Sequence, residues 1–380
     1  MKILFISHEA TRTGAPLILL HLLKWLKGNS QNIQFDVLLI NGGVIEDDFK
    51  KECTNTFIYS ELFIQKPLKF TEILKESIKS KFGIKRKKEG LLFFEKIASN
   101  NYDLIYANSI ASIPKAVNIK KHFQKTNLIV HVHELDTIIK MVLPDFKNYL
   151  KEINKFIAVS ALVADNLIEN YNIDAALIDV IYEFGMIEPK NVQKNNKIFT
   201  VGASGTTHWR KGDDIFIQVA NFIAKNYSAE IEFVWVGNAV NNKLIIESDI
   251  KKLDLQNKVK FVGEHPDPIH FYQNFDVFLL TSREDPFPLV CIEAANLGIP
   301  IICFEKATGT SEIIKKGGGF VVPYLDIQMM AEKIIFYNNN MVKRIEDGKK
   351  AKELFAEFTV DKIAPLLYQT IISQSQSKSL

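Results

Sequence analysis

Two acids, Asp285 and Glu293, stand eight positions apart in the stretch Thr281–Gly298, TSREDPFPLVCIEAANLG. The apolar run Val277–Ser282 ends in hydroxyls, which predicts a buried strand reaching its carboxyl end. Pro288 stands where a helix would begin, since its missing N–H costs nothing at the first helical position. Leu289, Val290, Ile292, Ala294, Ala295 and Leu297 continue that helix; Gly298 and Pro300 stop it before a new strand, Ile299–Phe304. The helix start spanning Phe287, Pro288, Leu289 and Val290 is expected to present free N–H groups, from all of these but Pro288, that favour phosphate oxygens. An ionised carboxylate only accepts, so Glu293 can take both protons of a ribose diol, and Asp285 the hydroxyls of a second sugar. A solvated acidic loop is the competing reading, open for Glu284. It suits Glu293 poorly, because a carboxylate among Cys291, Ile292, Ala294 and Ala295 needs a partner.

Three further groups could serve the same chemistry. Arg210 and Lys211 precede Gly212 and the amphipathic stretch Asp213–Asn226, so they read as a diphosphate clamp at a helix start or as a surface basic pair. His133 and Glu134 close the strand Leu128–Glu134, with His131 on the same face as His133, at the strand end where open α/β sheets place ligands. Gly14 and Ala15 follow the first strand in the turn Thr11–Pro16, and either admit a ligand to the backbone or make a plain tight turn. No third ligand stands at metal spacing beside the histidines, so no metal site is expected. The turn is not a GxGxxG fingerprint, so dinucleotide binding has no support.

The run from Asp285 to Glu293 resembles the acidic motif of the retaining GT-B glycosyltransferases, the group 1 family of bacterial mannosyltransferases and lipopolysaccharide glucosyltransferases. Their pattern is Glu, a small residue, Phe, Pro, four apolar residues, then Glu. Here Asp285 holds the first position, with Glu284 one place early. The resemblance implies that Lys211 acts on donor phosphates and that Arg210 replaces an arginine which relatives carry after Gly, where this chain has Gly202-Ala203. It also implies that backbone groups near Val262 hold the base, that His133 faces the reacting sugar in an interdomain cleft, and that the loop with Gly14 and Ala15 faces donor and acceptor.

These residues need elements to carry them. Lys2–Ser7, Phe35–Ile40, Asp103–Asn108, Leu128–Glu134, Lys155–Ser160 and Leu177–Phe184 read as strands of one sheet. Lys197–Ala203, Ile231–Gly237, Lys258–Gly263, Val277–Ser282, Ile299–Phe304 and Gly318–Pro323 read as strands of another, with helices Leu17–Leu26, Asp213–Asn226 and Thr359–Ile372 among the connections. The expected fold is α/β and GT-B-like: two doubly wound Rossmann-type domains facing a cleft. Residues 1–187 would form the acceptor-side domain and 188–358 the donor domain. Residues 359–372 would cross back to the first domain and 373–380 would form a disordered tail. The polar run Glu188–Lys197 would end the linker.

A chain of 380 residues, 47% hydrophobic and 24% charged, suits two globular domains. A net charge of +3 gives no case for nucleic acid. Three cysteines without metal spacing predict a reduced, cytoplasmic setting, and no run reads as a signal or a membrane span. Lys79–Lys88 carries six cations and no acid, and reads as a solvated loop or as a peripheral contact with anionic lipid.

The resemblance implies a glycosyltransferase that moves a sugar from a nucleoside diphosphate donor to a hydroxyl of a glycan or lipid-linked glycan in cell-surface polysaccharide synthesis. Retention of configuration is implied, with no metal or other cofactor. A sugar-nucleotide 2-epimerase of the same fold, or a non-catalytic nucleotide-sugar-binding scaffold, would share the phosphate logic.

Overall fold

A computed structural model describes residues 1–30, 32–60, 93–97, 99–123, 125–185, 198–239, 242–265 and 267–376. The basic run Lys79–Lys88 and the linker Glu188–Lys197 lie outside the described residues. The chain divides into two compact units. The first comprises Met1–Ala158, Leu167–Ile181 and the chain from Ala364; the second comprises Val159–Asn166 and Tyr182–Ile363.

The first unit holds a parallel sheet of seven strands among the described residues: β1 (Lys2–Ser7), β2 (Gln34–Leu39), β3 (Thr56–Ile58), β4 (Leu104–Asn108), β5 (Asn127–Val132), β6 (Lys155–Ala158) and β7 (Ile178–Val180). Their order is β3-β2-β1-β4-β5-β6-β7. The second unit repeats the pattern with β8 (Phe199–Ser204), β9 (Ile231–Val236), β10 (Val259–Phe261), β11 (Val277–Leu280), β12 (Ile301–Phe304) and β13 (Gly319–Val322), in the order β10-β9-β8-β11-β12-β13. Strands covered on both faces must be apolar throughout, and Ile3–Ile6, Leu104–Ala107 and Val277–Leu280 are all buried. The strand order reverses between β1 and β4 in one unit and between β8 and β11 in the other. Such a reversal opens a crevice at the carboxyl ends of its two strands.

Several elements end elsewhere than their sequences predict. The first helix runs Gly14–Asn29, so Gly14 and Ala15 are its first residues and not a loop; Pro16 is tolerated there because first-turn N–H groups have no helical acceptor. Pro288 is the cap of helix Leu289–Asn296, one place before the expected role, and has no N–H to offer an anion. Strand β5 stops at Val132, which leaves His133 and Glu134 just past the sheet. The last helix runs Val360–Gln376, so the expected disorder does not begin at Ser373. Ser373 and Ser375 donate to the Thr370 and Ile372 carbonyls, Ile371 is fully buried, and the Gln374 carbonyl accepts from Asn127 in the same unit.

Candidate functional site

In the second unit the crevice of the strand-order reversal lies between the loops that follow β8 and β11. After β8 the chain makes a short turn, Trp209–Lys211, then the long helix Asp213–Asn226. Gly212 joins the two in the left-handed region at φ 69°, and a Cβ there would lie 2.1 Å from the Thr281 carbonyl oxygen. No other residue type fits so close an approach without moving one loop. The loops are also bonded directly. The Arg210 carbonyl accepts from the N–H groups of Arg283 and Glu284, and the Thr281 hydroxyl donates to the Lys211 carbonyl. Arg283 forks onto Asp214 at 2.9 and 2.7 Å and donates to the Trp209 carbonyl, bracing the turn from outside.

This arrangement brings Arg210, Lys211 and Asp285 together. Lys211 Nζ stands 2.6 Å from Asp285 Oδ2 and Arg210 Nη1 3.3 Å from Oδ1, while Ser282 donates to Oδ2 at 3.0 Å. The Asp285 side chain is 6% exposed. Burial alone would raise its pKa; the adjacent Lys211 and Arg210 charges outweigh that and hold the carboxyl below the usual range. Burial, helped by Arg210, pushes Lys211 down against the pull of Asp285. Two cations share one carboxylate, so the cluster keeps an excess positive charge. Glu284 gives Arg210 its main-chain carbonyl, at 3.4 Å, whereas Asp285 gives its carboxylate.

The other second-unit residues surround this cluster in sequence. Phe287 is buried in an aromatic group with Tyr182, Phe355 and Phe358, so its side chain anchors the loop. Leu289 and Val290 open the helix, half-buried; the first intrahelical closure is Cys291 N–H to the Pro288 carbonyl. Glu293, one turn on, is half-buried, and burial pushes its carboxyl up to about 7 while Tyr272 beside it opposes the rise. The Tyr272 hydroxyl is buried and closes no hydrogen bond of good geometry. Val262 follows β10, with its N–H taken by the Trp235 carbonyl. Two strand spacings, about 10 Å, separate β10 from β8.

In the first unit the structure joins Ala15 and His133 through Asn108, a fully buried residue the sequence reading passed over although it ends a strand in a polar side chain. Asn108 Nδ2 donates to the Ala15 carbonyl at 2.9 Å, so its Oδ1 faces His133 Nε2 at 3.0 Å. That orientation makes His133 Nε2 the protonated nitrogen. His131 is fully buried, bonded to Tyr106 at 2.7 Å, and packed on the His133 ring at 4.1 Å. Burial drives its pKa well down, so it stays neutral. Glu134 accepts from the His133 and Ile110 N–H groups. Gly14 is exposed at the start of the first helix.

Residues 187–354 match the family Glycosyl transferases group 1, and residues 76–184 match Glycosyltransferase Family 4. The capsular polysaccharide biosynthesis glycosyltransferase CapM of Staphylococcus aureus is 27% identical over 197 residues, 50% of this chain and 51% of that protein. The poly(ribitol-phosphate) alpha-N-acetylglucosaminyltransferase of Staphylococcus aureus is 26% identical over 272 residues, 70% of this chain and 54% of that protein. The chain thus spans about half the length of these curated relatives. The Anabaena protein HepE, solved in complex with UDP-glucose, superposes with a TM-score of 0.77 at 21% identity, covering 98% of this chain and all of its own. At that identity the likeness speaks for the fold. With two doubly wound parallel sheets and the Asp285–Glu293 motif at the strand-order reversal, the chain is a glycosyltransferase of the GT-B type that joins a Glycosyltransferase Family 4 domain, residues 76–184, to a Glycosyl transferases group 1 domain, residues 187–354.

Proposed function

We propose that the protein transfers a sugar from a nucleoside diphosphate sugar to a hydroxyl of a glycan or lipid-linked glycan in cell-surface polysaccharide synthesis, with retention and without a metal. The observation that carries this reading is the pairing of Arg210 and Lys211 with a single carboxylate, Asp285. A leaving diphosphate gains negative charge as the glycosidic bond breaks. Preorganised cations in a half-buried site oppose that gain most strongly in the transition state. The Leu289 and Val290 N–H groups lie at a helix start, where phosphate oxygens are favoured. Glu293 holds the ribose and backbone groups near Val262 hold the base. Asp285 keeps both cations in place; the expected contact with the transferred sugar would exchange one of its present bonds. His133 positions the sugar or handles a proton. The reading is supported by family membership and by HepE, which binds UDP-glucose.

Incubation with UDP-glucose, UDP-N-acetylglucosamine and GDP-mannose tests it. Transfer or slow hydrolysis of one donor is expected; epimerised donor, or no binding of any, would replace it with the isomerase or the scaffold. EDTA should leave activity intact, since Arg210 and Lys211 supply the charge. A rescuable need for Mg²⁺ or Mn²⁺ would contradict that part.

Glu293→Gln should weaken nucleoside diphosphate binding by about 1–3 kcal/mol, because one acceptor oxygen becomes a donor and leaves a ribose hydroxyl badly paired. With the carboxyl raised to about 7, the ionised form grows as pH rises through that value. Affinity of the unaltered protein for uridine, which carries the ribose and no titrating phosphate, should therefore strengthen between about pH 6 and 8, on either side of that midpoint, and the Gln variant should be flat. Calorimetric titration at four pH values checks both; parallel curves would remove Glu293 from the ribose.

A further inference from the structure

At the carboxyl end of β1, Glu9 is held with one oxygen satisfied and the other open. Its Oε1 accepts from the Thr11 hydroxyl at 2.7 Å and the Thr13 hydroxyl at 3.1 Å, with His8 Nε2 3.4 Å away. Its Oε2 meets no donor among the described residues. Thr13 occupies the cap position of helix Gly14–Asn29 yet makes no capping bond; its hydroxyl is turned to Glu9. A cap of this kind ordinarily stabilises a helix. His8 Nδ1 is buried beside this group without a partner. The His8 contact, against burial, lowers the Glu9 carboxyl to about 2, so it is ionised across the working pH range.

The backbone beneath is fixed. Ser7 donates its hydroxyl to the Glu9 carbonyl at 2.7 Å, and Asn41 gives both its N–H and its amide to the His8 carbonyl. Ile45 N–H bonds the Ala10 carbonyl, and a Cβ on Gly43 would lie 2.2 Å from that same oxygen. A carboxylate held this firmly, with one oxygen unused, is arranged for a ligand. Sheet register places it. Ser7 pairs with Asn108, and Asn108 with His131. Glu9 and His133 each lie two residues beyond that line, past the ends of β1 and β5, which stand either side of β4. Those two strands are two spacings apart, about 10 Å, so Glu9 and His133 share one sheet end.

We propose that Glu9 is an acceptor-binding residue whose free oxygen takes the hydrogen bond of a neutral sugar or polyol hydroxyl, a reading that rests on the glycosyltransferase function proposed above. A carboxylate accepts and does not donate, so its ligand must bring a donor, and its charge keeps phosphate away from this position. Glu9 orients the hydroxyl and leaves its proton in place, because so weak a base does not remove one.

The test uses the full chain with UDP and a panel of methyl glucoside, galactoside, mannoside and N-acetylglucosaminide plus ribitol, read by saturation-transfer NMR. At least one probe should bind, Glu9→Gln should weaken it at least tenfold, and UDP affinity should stay within twofold. Glu9→Asp, which keeps the charge but withdraws the oxygen, should also weaken it, and serves if the Gln variant fails to melt cooperatively. Binding of no probe, or equal binding by both variants, overturns the assignment of Glu9. Failure of the unaltered protein to bind any nucleoside diphosphate would instead overturn the glycosyltransferase reading.

Discussion

Asp285→Asn is expected to abolish most sugar transfer and to lower the melting temperature of the protein. Its carboxylate is 6% exposed and satisfies Lys211 at 2.6 Å and Arg210 at 3.3 Å. Removing one partner of a buried pair leaves the other charge unpaired, which typically costs about 3–5 kcal/mol. Lys211, already pushed down by burial, then loses the charge that opposes the fall and deprotonates more readily. A neutral or displaced Lys211 cannot meet a diphosphate, so transfer should drop by at least about a hundredfold, the size seen when one preorganised group is lost. The sign with pH is fixed by the lowered Asp285 carboxyl. A depressed carboxylate stabilises above its unfolded pKa and loses that contribution as pH falls through the folded one. The two proteins should therefore differ in melting temperature at neutral pH and converge in acid. Glu284→Gln should change both properties little. If Asp285→Asn melts and transfers like the unaltered protein while Glu284→Gln does not, the acid of this site is Glu284.

Lys211→Ala should lower kcat by about 10²–10³, or roughly 2.7–4 kcal/mol of transition-state stabilisation. The Lys211 side chain is 14% exposed, so its charge is only partly screened by water and acts strongly on a nearby phosphate. The effect should fall on turnover more than on donor KM, because charge on the departing diphosphate grows as the bond breaks. Uridine, which carries no phosphate, should bind the variant as it binds the unaltered protein, and that measurement separates a lost cation from a collapsed site. Arg210 remains beside Asp285 in the variant. Unchanged turnover would mean that Arg210 alone serves the phosphates.

How far these residues were legible in the sequence varies with the range of the interaction. Helix Asp213–Asn226 and strand β1 have the bounds their patterns predict, because apolar periodicity and a flanking glycine or polar residue act within a few positions. The carboxyl ends of β5 and β11 were read too long, since hydroxyl and imidazole side chains just past a strand do not break the apolar pattern. Glu9 was passed over because Thr11 and Thr13 read as turn formers, and nothing local shows that both hydroxyls converge on one carboxylate oxygen.

The sequence by itself determined which runs are buried strands, where glycine and proline punctuate them, and that Asp285 and Glu293 bracket a helix start. These depend on local propensity and spacing. Only the tertiary structure decided that Lys211 meets Asp285, 74 residues away in the chain, and that Asn108 bridges Ala15 and His133. Both follow from strand order. With β8 beside β11 and β1 beside β4, loops distant in sequence are drawn to the same sheet end, and the burial of whole sheet faces selects that order. The charge balance of the clamp has the same origin, because one carboxylate facing two cations is a property of the assembled strand ends.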